Sequence, residues 1–230
     1  MRRPIRQFVL ASFMAVSALG PVCAQQPTSG GAVPLIPRET LFGNPDRIRA
    51  ALSPDGKRIA FLAAHQGVLN VFVAPAEKPE EAKPVTAATR RGIMRFQWAQ
   101  TGRHLLYLLD LDGDENWHVY CADVDKGTVV DLTPFDTIAG ADGKPLKDAA
   151  GRTLRPSARI IATSPKHPAA VILAVNNRDP RLHDLYRADV IAGTVQLLQT
   201  CPEGVVDWVI DNDLNAVSYT HLTLPTTERV

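Results

Sequence analysis

The chain has 230 residues, of which 45% are hydrophobic and 21% are charged, and its formal net charge is +1. A length of this order allows one or two domains, and the composition is ordinary for a globular protein. The balanced charge provides no bulk attraction to nucleic acid or to an acidic membrane surface, so neither is expected as a partner.

The first 24 residues have the pattern of a secretory signal peptide. Arginines near the start precede an apolar run at residues 8–19, which is too short to span a bilayer comfortably. Val22 and Ala24 then supply the small residues of a cleavage site. We predict cleavage after Ala24 and a periplasmic or secreted location without membrane attachment, with a retained anchor as the alternative.

Export would place the chain in an oxidising compartment. Only Cys121 and Cys201 remain after the predicted cleavage. Two cysteines this far apart in sequence do not make a disulfide framework. We therefore favour two free, buried thiols, and a disulfide between them is the alternative.

Residues 25–44 read as a lead-in segment, with a first part rich in proline, glycine and small residues. An internal repeat follows in residues 45–215. Residues 52–62 (LSPDGKRIAFL) and 98–108 (WAQTGRHLLYL) align with their turn glycines, Gly56 and Gly102, in register at a spacing of 46 residues. A third copy begins at Thr163 and a fourth at Asp207.

Each copy contains apolar strands joined by turns that are built on proline, aspartate or glycine. Four short strands in about 45 residues is the period of a propeller blade. We predict an all-β fold, a partial β-propeller of about three four-stranded blades plus the start of a fourth. A β-sandwich would not repeat the same register at a fixed interval, and a helical solenoid would need a 3.6-residue pattern.

Residues 136–156 interrupt the repeat with a polar, turn-rich insertion. A segment of this kind is expected to connect strands or blades at a face of the propeller. A solvated loop is the favoured interpretation, and a loop that lines a channel is the alternative.

Several segments together resemble a known family. Residues 37–45, followed by residues 52–56 (LSPDG), resemble the opening of bacterial prolyl oligopeptidase-family enzymes, which include acylaminoacyl peptidases and dipeptidyl aminopeptidases. Residues 113–117 with 131–135, and residues 177–186, are similar to blades of the same proteins. The resemblance implies a propeller that caps a C-terminal α/β-hydrolase domain and admits short peptides.

The catalytic serine of that family lies on a Gly-x-Ser-x-Gly turn, with Asp and His later in the chain. No serine of this chain has glycine both two positions before and two positions after it. We therefore assign no catalytic residue and expect the chain alone to be inactive. The parent protein implied by the resemblance is an exported serine peptidase whose hydrolase domain lies outside this chain.

Residues 217–226 are similar to a translated sequencing adaptor and lack the repeat's turn at the expected offset. We interpret residues 216–230 as an artefactual tail and place the end of the propeller sequence near Asn215. Ser218 and His221 are accordingly given no chemical role.

The alternating acids Asp110, Asp112 and Asp114 have the look of a calcium loop. The EF-hand pattern requires glycine at its sixth position and glutamate at its twelfth, where this chain has Glu115 and Cys121. We therefore predict a solvated hairpin rather than a metal site. Arg90-Arg91 is a two-residue basic spot that we interpret as a solvated turn.

The remaining histidines and tryptophans are interpreted as structural. His104, His118, His167 and His183 are scattered through different blades without metal-ligand spacing, so neither a metal nor another cofactor is expected. Trp98 and Trp208 occupy matching repeat positions and are predicted to pack in the core. Trp117, beside the acidic hairpin, is predicted to be partly exposed.

Two other classes of propeller compete with the peptidase interpretation. A non-enzymatic periplasmic TolB-like binding protein shares the Ser-Pro-Asp-Gly turn, so that turn does not discriminate. Residues 37–45 and 177–186 favour the peptidase. A lactonase-type propeller would need converging Asp, Asn and His ligands that the sequence does not supply.

Overall fold

The computed structural model describes residues 35–43, 45–140 and 142–221. The chain divides into two units, Met1–Asn44 and Pro45–Val230. The described part of the first unit forms one exposed helical turn, α1 (Arg38–Phe42). The predicted signal peptide and most of the lead-in lie outside the described residues. Within those residues, no helix is long and apolar enough to cross a membrane.

The second unit consists of antiparallel sheets whose strands follow chain order. Three sheets have four strands each, and the last has two. The strands are β1 (Ile48–Leu52), β2 (Arg58–His65), β3 (Val68–Pro75), β4 (Lys83–Pro84), β5 (Phe96–Trp98), β6 (His104–Leu109), β7 (His118–Asp123), β8 (Thr128–Asp131), β9 (Ala158–Ser164), β10 (His167–Asp179), β11 (Leu182–Asp189), β12 (Thr194–Gln199), β13 (Val205–Ile210) and β14 (Ala216–His221), with a 3-10 turn at Pro79–Glu81. The predicted all-β partial propeller, with three blades and the start of a fourth, is confirmed.

The repeat's glycines lie in the turn between the first and second strands of their blades. Gly56 and Gly102 have φ angles of +71° and +68°, a region that glycine adopts readily and other residues avoid. The Gly56 N–H donates to the Ser53 carbonyl at 2.8 Å, and the Gly102 N–H donates to the Ala99 carbonyl at 3.2 Å. The register of the two copies therefore reflects one turn geometry.

The hydrophobic core lies between blades. Three clusters of buried side chains join consecutive sheets, and each fully buried leucine contributes about 1.5–3 kcal/mol to folding. Trp98 and Trp208 are both buried, as predicted. The Trp98 indole N–H donates to Ala51 of the preceding blade at 3.1 Å, and the Trp208 indole N–H donates to His183 at 3.0 Å.

The two ends of the strands differ in their connections. One end carries the turns between first and second strands and between third and fourth strands, and we call it the turn end. The opposite end carries the turns between second and third strands and all connections between blades, and we call it the loop end. This division follows from the antiparallel order of four strands in each blade.

Every complete blade places a buried polar residue at the same position of its third strand, namely Asn70, His118 and Asp184. Each of these side chains bonds to the segment that ends or follows the fourth strand, and we call this contact the exit clamp. The bonds are Ala88 N–H to Asn70 Oδ1 at 2.8 Å, His118 Nδ1 with Asp131 Oδ2 at 2.8 Å, and Cys201 N–H to Asp184 Oδ1 at 2.7 Å. The predicted structural role of His118 agrees with its place in this series.

The backbone continues beyond the expected end of the propeller. Residues 211–215 form a turn in which the Leu214 N–H donates to the Asp211 carbonyl at 3.0 Å, and β14 pairs with β13 from Ala216 to His221. The expectation that the blade is not continued after Asn215 therefore needs correction, because an alternating segment can extend a free strand edge. The adaptor origin of residues 217–226 stays a prediction.

Candidate functional site

Departures from the repeat concentrate at one place on the loop end. The second and third strands are joined by two residues in blades 1 and 3 but by residues 110–117 in blade 2. The connection from blade 2 to blade 3, residues 132–157, is also longer than the other two, residues 85–95 and 200–204. We call residues 110–117 and 132–157 the loop cluster. Long connections that a rigid scaffold positions are where propellers and other folds carry function.

A buried ion pair anchors the first segment of the loop cluster. The Asp110 side chain is fully buried, and the Arg91 Nε lies 3.0 Å from its Oδ1. The guanidinium N–H is not directed at this oxygen, which therefore has a charged neighbour but no well-aligned hydrogen bond. The other oxygen, Oδ2, accepts from the Glu115 N–H at 3.2 Å. The predicted solvated hairpin is thus wrong for Asp110, whose carboxylate is desolvated and paired.

The basic pair predicted as a solvated turn lies against this acidic hairpin instead. Arg90 Nη1 is 2.8 Å from Asp112 Oδ2, and both side chains are exposed. Arg91 reaches the buried Asp110 from the adjacent position. Residues 85–95 run along the loop end before β5 begins, and they bring the two arginines beside the hairpin of their own blade.

The hairpin backbone is held in an uncommon conformation. Asp112 and Glu115 have φ angles of +54° and +60°, and Gly113 between them has +88°. Such angles are unfavourable for residues with a Cβ and persist only where neighbouring contacts impose them. A Cβ at Gly113 would lie 2.9 Å from Arg91 Nη1, so the glycine also makes room for the buried pair.

The two segments of the loop cluster are joined by side-chain and backbone contacts. Arg155 Nη1 lies 3.2 Å from Asp114 Oδ2. Burial of the Asp114 carboxyl opposes ionisation, but hydrogen bonds from Asn116 and the charge of Arg155 outweigh it and lower the pKa. The Trp117 N–H donates to Ser157 Oγ at 3.2 Å. Trp117 is half-buried, as predicted.

The insertion predicted at residues 136–156 connects blades, as expected, and has internal order. Leu146 N–H donates to Ile138 O at 2.8 Å, Leu154 N–H donates to Leu146 O at 2.8 Å, and Ile138 N–H donates to Leu154 O at 2.9 Å. Ile138 is buried although most of the insertion is exposed. The Ala139 N–H donates to the Asn177 carbonyl at 3.2 Å, so the insertion is also fixed to blade 3.

Blade 3 supports the insertion with an ordered polar surface. The Tyr186 hydroxyl donates to Asn177 Oδ1 at 3.0 Å, and the Phe135 ring packs 5.3 Å from the Tyr186 ring. Arg178 makes a two-bond contact with the buried Asp184, at 2.7 and 2.9 Å. The exit clamp of blade 3 therefore also positions the end of β10, beside which the insertion lies.

Three of the described serines are hydrogen-bonded within turns or to backbone. Ser53 donates to Asp55, Ser157 accepts from Trp117, and Ser164 donates to the Asn212 carbonyl. Throughout the described ranges, no serine hydroxyl is hydrogen-bonded to a histidine. An acyl-transfer site requires such a pair together with donors for the oxyanion.

A hydroxyl, an imidazole and a carboxylate do meet at the turn end of blade 2. The Thr101 Oγ1 lies 2.9 Å from His104 Nδ1, and His104 Nε2 lies 3.6 Å from Asp123. Burial lowers the pKa of His104, while the Arg103 hydrogen bonds lower the pKa of Asp123. Thr101 also accepts the N–H of His104, so its hydroxyl is committed to the turn. The contacts of Thr101, His104 and Asp123 therefore stabilise the turn.

Metal-ligating residues do not converge in the described part of the chain. No group of three or more His, Cys, Asp or Glu side chains there is placed to hold an ion. Cys121 and Cys201 are both free and buried, as the sequence favoured. Burial raises the pKa of the Cys121 thiol to about 12, which keeps it protonated.

No family model matches the chain. The chain is 36% identical over 217 residues to dipeptidyl aminopeptidase BIII of Pseudoxanthomonas mexicana, a match that covers 93% of this chain and 29% of that protein. The chain thus spans less than one third of the length of this curated relative.

Two solved structures are similar to this chain at low sequence identity. The β-propeller domain of the trilobed protease of Pyrococcus furiosus is 18% identical with a TM-score of 0.45, over 68% of this chain and 44% of that chain. TolB of Acinetobacter baumannii is 16% identical with a TM-score of 0.44, over 73% of this chain and 36% of that chain.

Proposed function

We propose that this chain, which belongs to the prolyl oligopeptidase family of peptidases as a segment of the β-propeller, restricts access to the catalytic site of an exported serine peptidase. The observation that carries the proposal is the 36% identity with a dipeptidyl aminopeptidase over 93% of the chain. Short peptides with a free amino terminus are the proposed substrates. The catalytic residues belong to a hydrolase domain that follows in the parent protein.

The loop cluster supports a role in controlling access. Its two segments are the long connections of the described propeller, and they are fixed to one another by Arg155–Asp114 and to the core by the buried Asp110. Loops that are fixed in this way select substrates by size because they do not move aside for a large substrate. We propose that peptides pass the loop cluster and that folded proteins do not.

The reading frame beyond Asn215 in genomic DNA tests the peptidase assignment. We expect a Gly-x-Ser-x-Gly turn followed by Asp and then His. A stop codon after a few more blades would overturn the assignment and support the TolB-like binding protein. Export is tested separately by fractionating cells that produce the full-length protein, and recovery in the cytoplasm without removal of residues 1–24 would contradict it.

The full-length protein then tests activity and gating. We expect release of dipeptides from a peptide amide with a free amino terminus and little release from its acetylated form. Arg155→Ala should loosen the loop cluster and raise the rate for long peptides relative to short ones. Lys78→Ala, which removes an exposed pair with Glu81 at the turn end, is the matched control. An unchanged length preference in Arg155→Ala would refute the gating role.

A further inference from the structure

A groove at the turn end of blade 3 contains Arg187, a cation that forms no ion pair within the described residues. The groove has a volume of about 440 Å³, and its lining residues include Lys166, Arg187 and Asp189. The Asp189 carboxylate accepts backbone N–H groups of its own turn and forms no ion pair with Arg187. Lys166 is paired with Asp213 at 2.9 Å. In the part of the chain that the structure describes, Arg187 has neither an ion pair nor a side-chain hydrogen bond.

Arg187 lies on the side of blade 3 that faces blade 4. Leu185, two residues earlier in β11, packs in the same cluster as Trp208 of β13. Alternate residues of a strand share one face of the sheet, so Arg187 shares this side with Leu185. The Arg187 guanidinium therefore lies on the side of the sheet that faces blade 4.

The repeat shows what covers this position in the other blades. The equivalents of Arg187 are Val73 in blade 1 and Cys121 in blade 2, each two residues after a buried apolar residue of the third strand. Val73 packs in one cluster with Val124 of blade 2, and Cys121 Sγ lies 3.8 Å from the Val190 carbonyl of blade 3. Val124 and Val190 each follow the third strand of the next blade directly. The covering group is thus the turn between the third and fourth strands of the next blade.

The side chains that meet at the first two junctions are chemically complementary. Arg58 of blade 1 pairs at 2.7 Å with Asp125, which lies in the covering turn of blade 2. At the next junction the equivalent residues are His104, which is buried, and Ile191. The Arg58 guanidinium therefore faces the Asp125 carboxylate at the first junction. At the second junction the buried His104 ring lies beside the apolar Ile191. At the third junction the equivalent of Arg58 and His104 is the apolar Ala170, and the cation in the groove is Arg187.

We propose that the groove at Arg187 binds the turn between the third and fourth strands of the fourth blade, and that this turn carries a carboxylate that pairs with the Arg187 guanidinium. Charge complementarity and the two preceding junctions identify the occupant. An Arg–carboxylate pair that the neighbouring blades partly cover is stronger than an exposed pair. The proposal does not depend on the peptidase function.

The natural reading frame provides the first test. We expect Asp or Glu at the first or second position after the third strand of the fourth blade, which are the positions of Val124 and Asp125 in blade 2. Apolar or basic residues at both positions would overturn the proposal. This reading requires no folded variant.

The full-length protein provides the second test. Arg187→Glu should lower the melting temperature by several degrees, and replacement of the partner acid by lysine in the same protein should restore most of the loss. Arg152→Glu, at an exposed arginine of the insertion, is the matched control and should change the melting temperature little. Should Arg187→Glu not fold, Arg187→Met replaces it, with the partner acid changed to leucine in the double variant. Additive effects of the two changes would refute the pairing.

Discussion

The Asp110 carboxylate is completely buried, and its nearest cationic atom is Nε of Arg91 at 3.0 Å. The guanidinium itself is about half exposed, with 45% of its side chain accessible. The pair is therefore asymmetric, because only the acid is removed from water. Removal of the arginine leaves a buried charge, whereas removal of the acid leaves a solvated one.

Arg91→Ala should accordingly destabilise the protein more than Asp110→Asn does. We expect a loss of about 3–5 kcal/mol for Arg91→Ala, the usual effect of breaking a buried pair. Arg90→Ala is the adjacent control, since its pair with Asp112 is exposed and contributes about 1 kcal/mol or less. Urea unfolding of the full-length protein measures all three variants. Equal losses for Arg90→Ala and Arg91→Ala would contradict this interpretation.

Gly113→Ala should disturb the same pair through the backbone. The added methyl group meets Arg91 Nη1 at 2.9 Å and must also adopt a φ angle of +88°. Gly127→Ala separates the two effects, because Gly127 has a φ angle of +66° with open space around its Cβ position. The left-handed backbone alone costs about 1–2 kcal/mol. A larger loss for Gly113→Ala than for Gly127→Ala in urea unfolding is expected, and equal losses would show that Arg91 adapts freely.

His183 should make stability depend on pH on the acidic side. Burial, and then the charge of Arg159, lower the pKa of His183 from 6.5 to about 4. The unfolded chain therefore binds this proton at a higher pH than the folded chain does. The free energy of unfolding should then fall as the pH falls from about 6.5 to about 4.

His183→Gln tests this dependence, because glutamine does not titrate. We expect the urea midpoint of the variant to change less between pH 7 and pH 5 than the midpoint of the parent. The Trp208 indole bond goes to the His183 carbonyl, so this substitution leaves the acceptor in place. Parallel pH profiles for the two proteins would show that His183 is not the titrating group.

The segment of residues 25–215, produced alone, should associate or bind a hydrophobic dye. Val206 and Val209 of β13 are 48% and 47% exposed. Val209 alternates with Trp208 and therefore lies on the side of β13 that faces away from blade 3. A closed propeller covers that side with another blade. Val206→Lys with Val209→Lys should reduce dye binding more than Val129→Lys does on the outer strand β8. A soluble monomer with a sharp thermal transition would contradict the prediction.

The strand order and the turns were accessible from sequence because single residue types are tied to them. A turn that needs a positive φ angle selects glycine, so Gly56 and Gly102 marked the register directly. The exit clamp was not accessible in this way. Asn70, His118 and Asp184 are chemically different, and only their shared position in the third strand relates them.

The sequence indicated the separate segments of the loop cluster but not the contacts between them. The acidic hairpin, the basic pair and the insertion were each recognised, yet their contacts depend on how residues 85–95 and 132–157 run along the loop end. Arg91 and Asp110 are brought together by that path and not by any local pattern. The burial of Asp110 inside a hairpin of alternating acids followed from this contact, which periodicity does not encode.

The exit clamp has a consequence for how such a chain grows. A side chain in the third strand holds the segment that leaves the blade, so this particular contact is complete within each blade. Duplication of a whole blade would therefore copy the exit clamp together with the strands. Lengthening the propeller by one blade would leave the exit clamps of the earlier blades intact, and only the faces between blades would have to adapt.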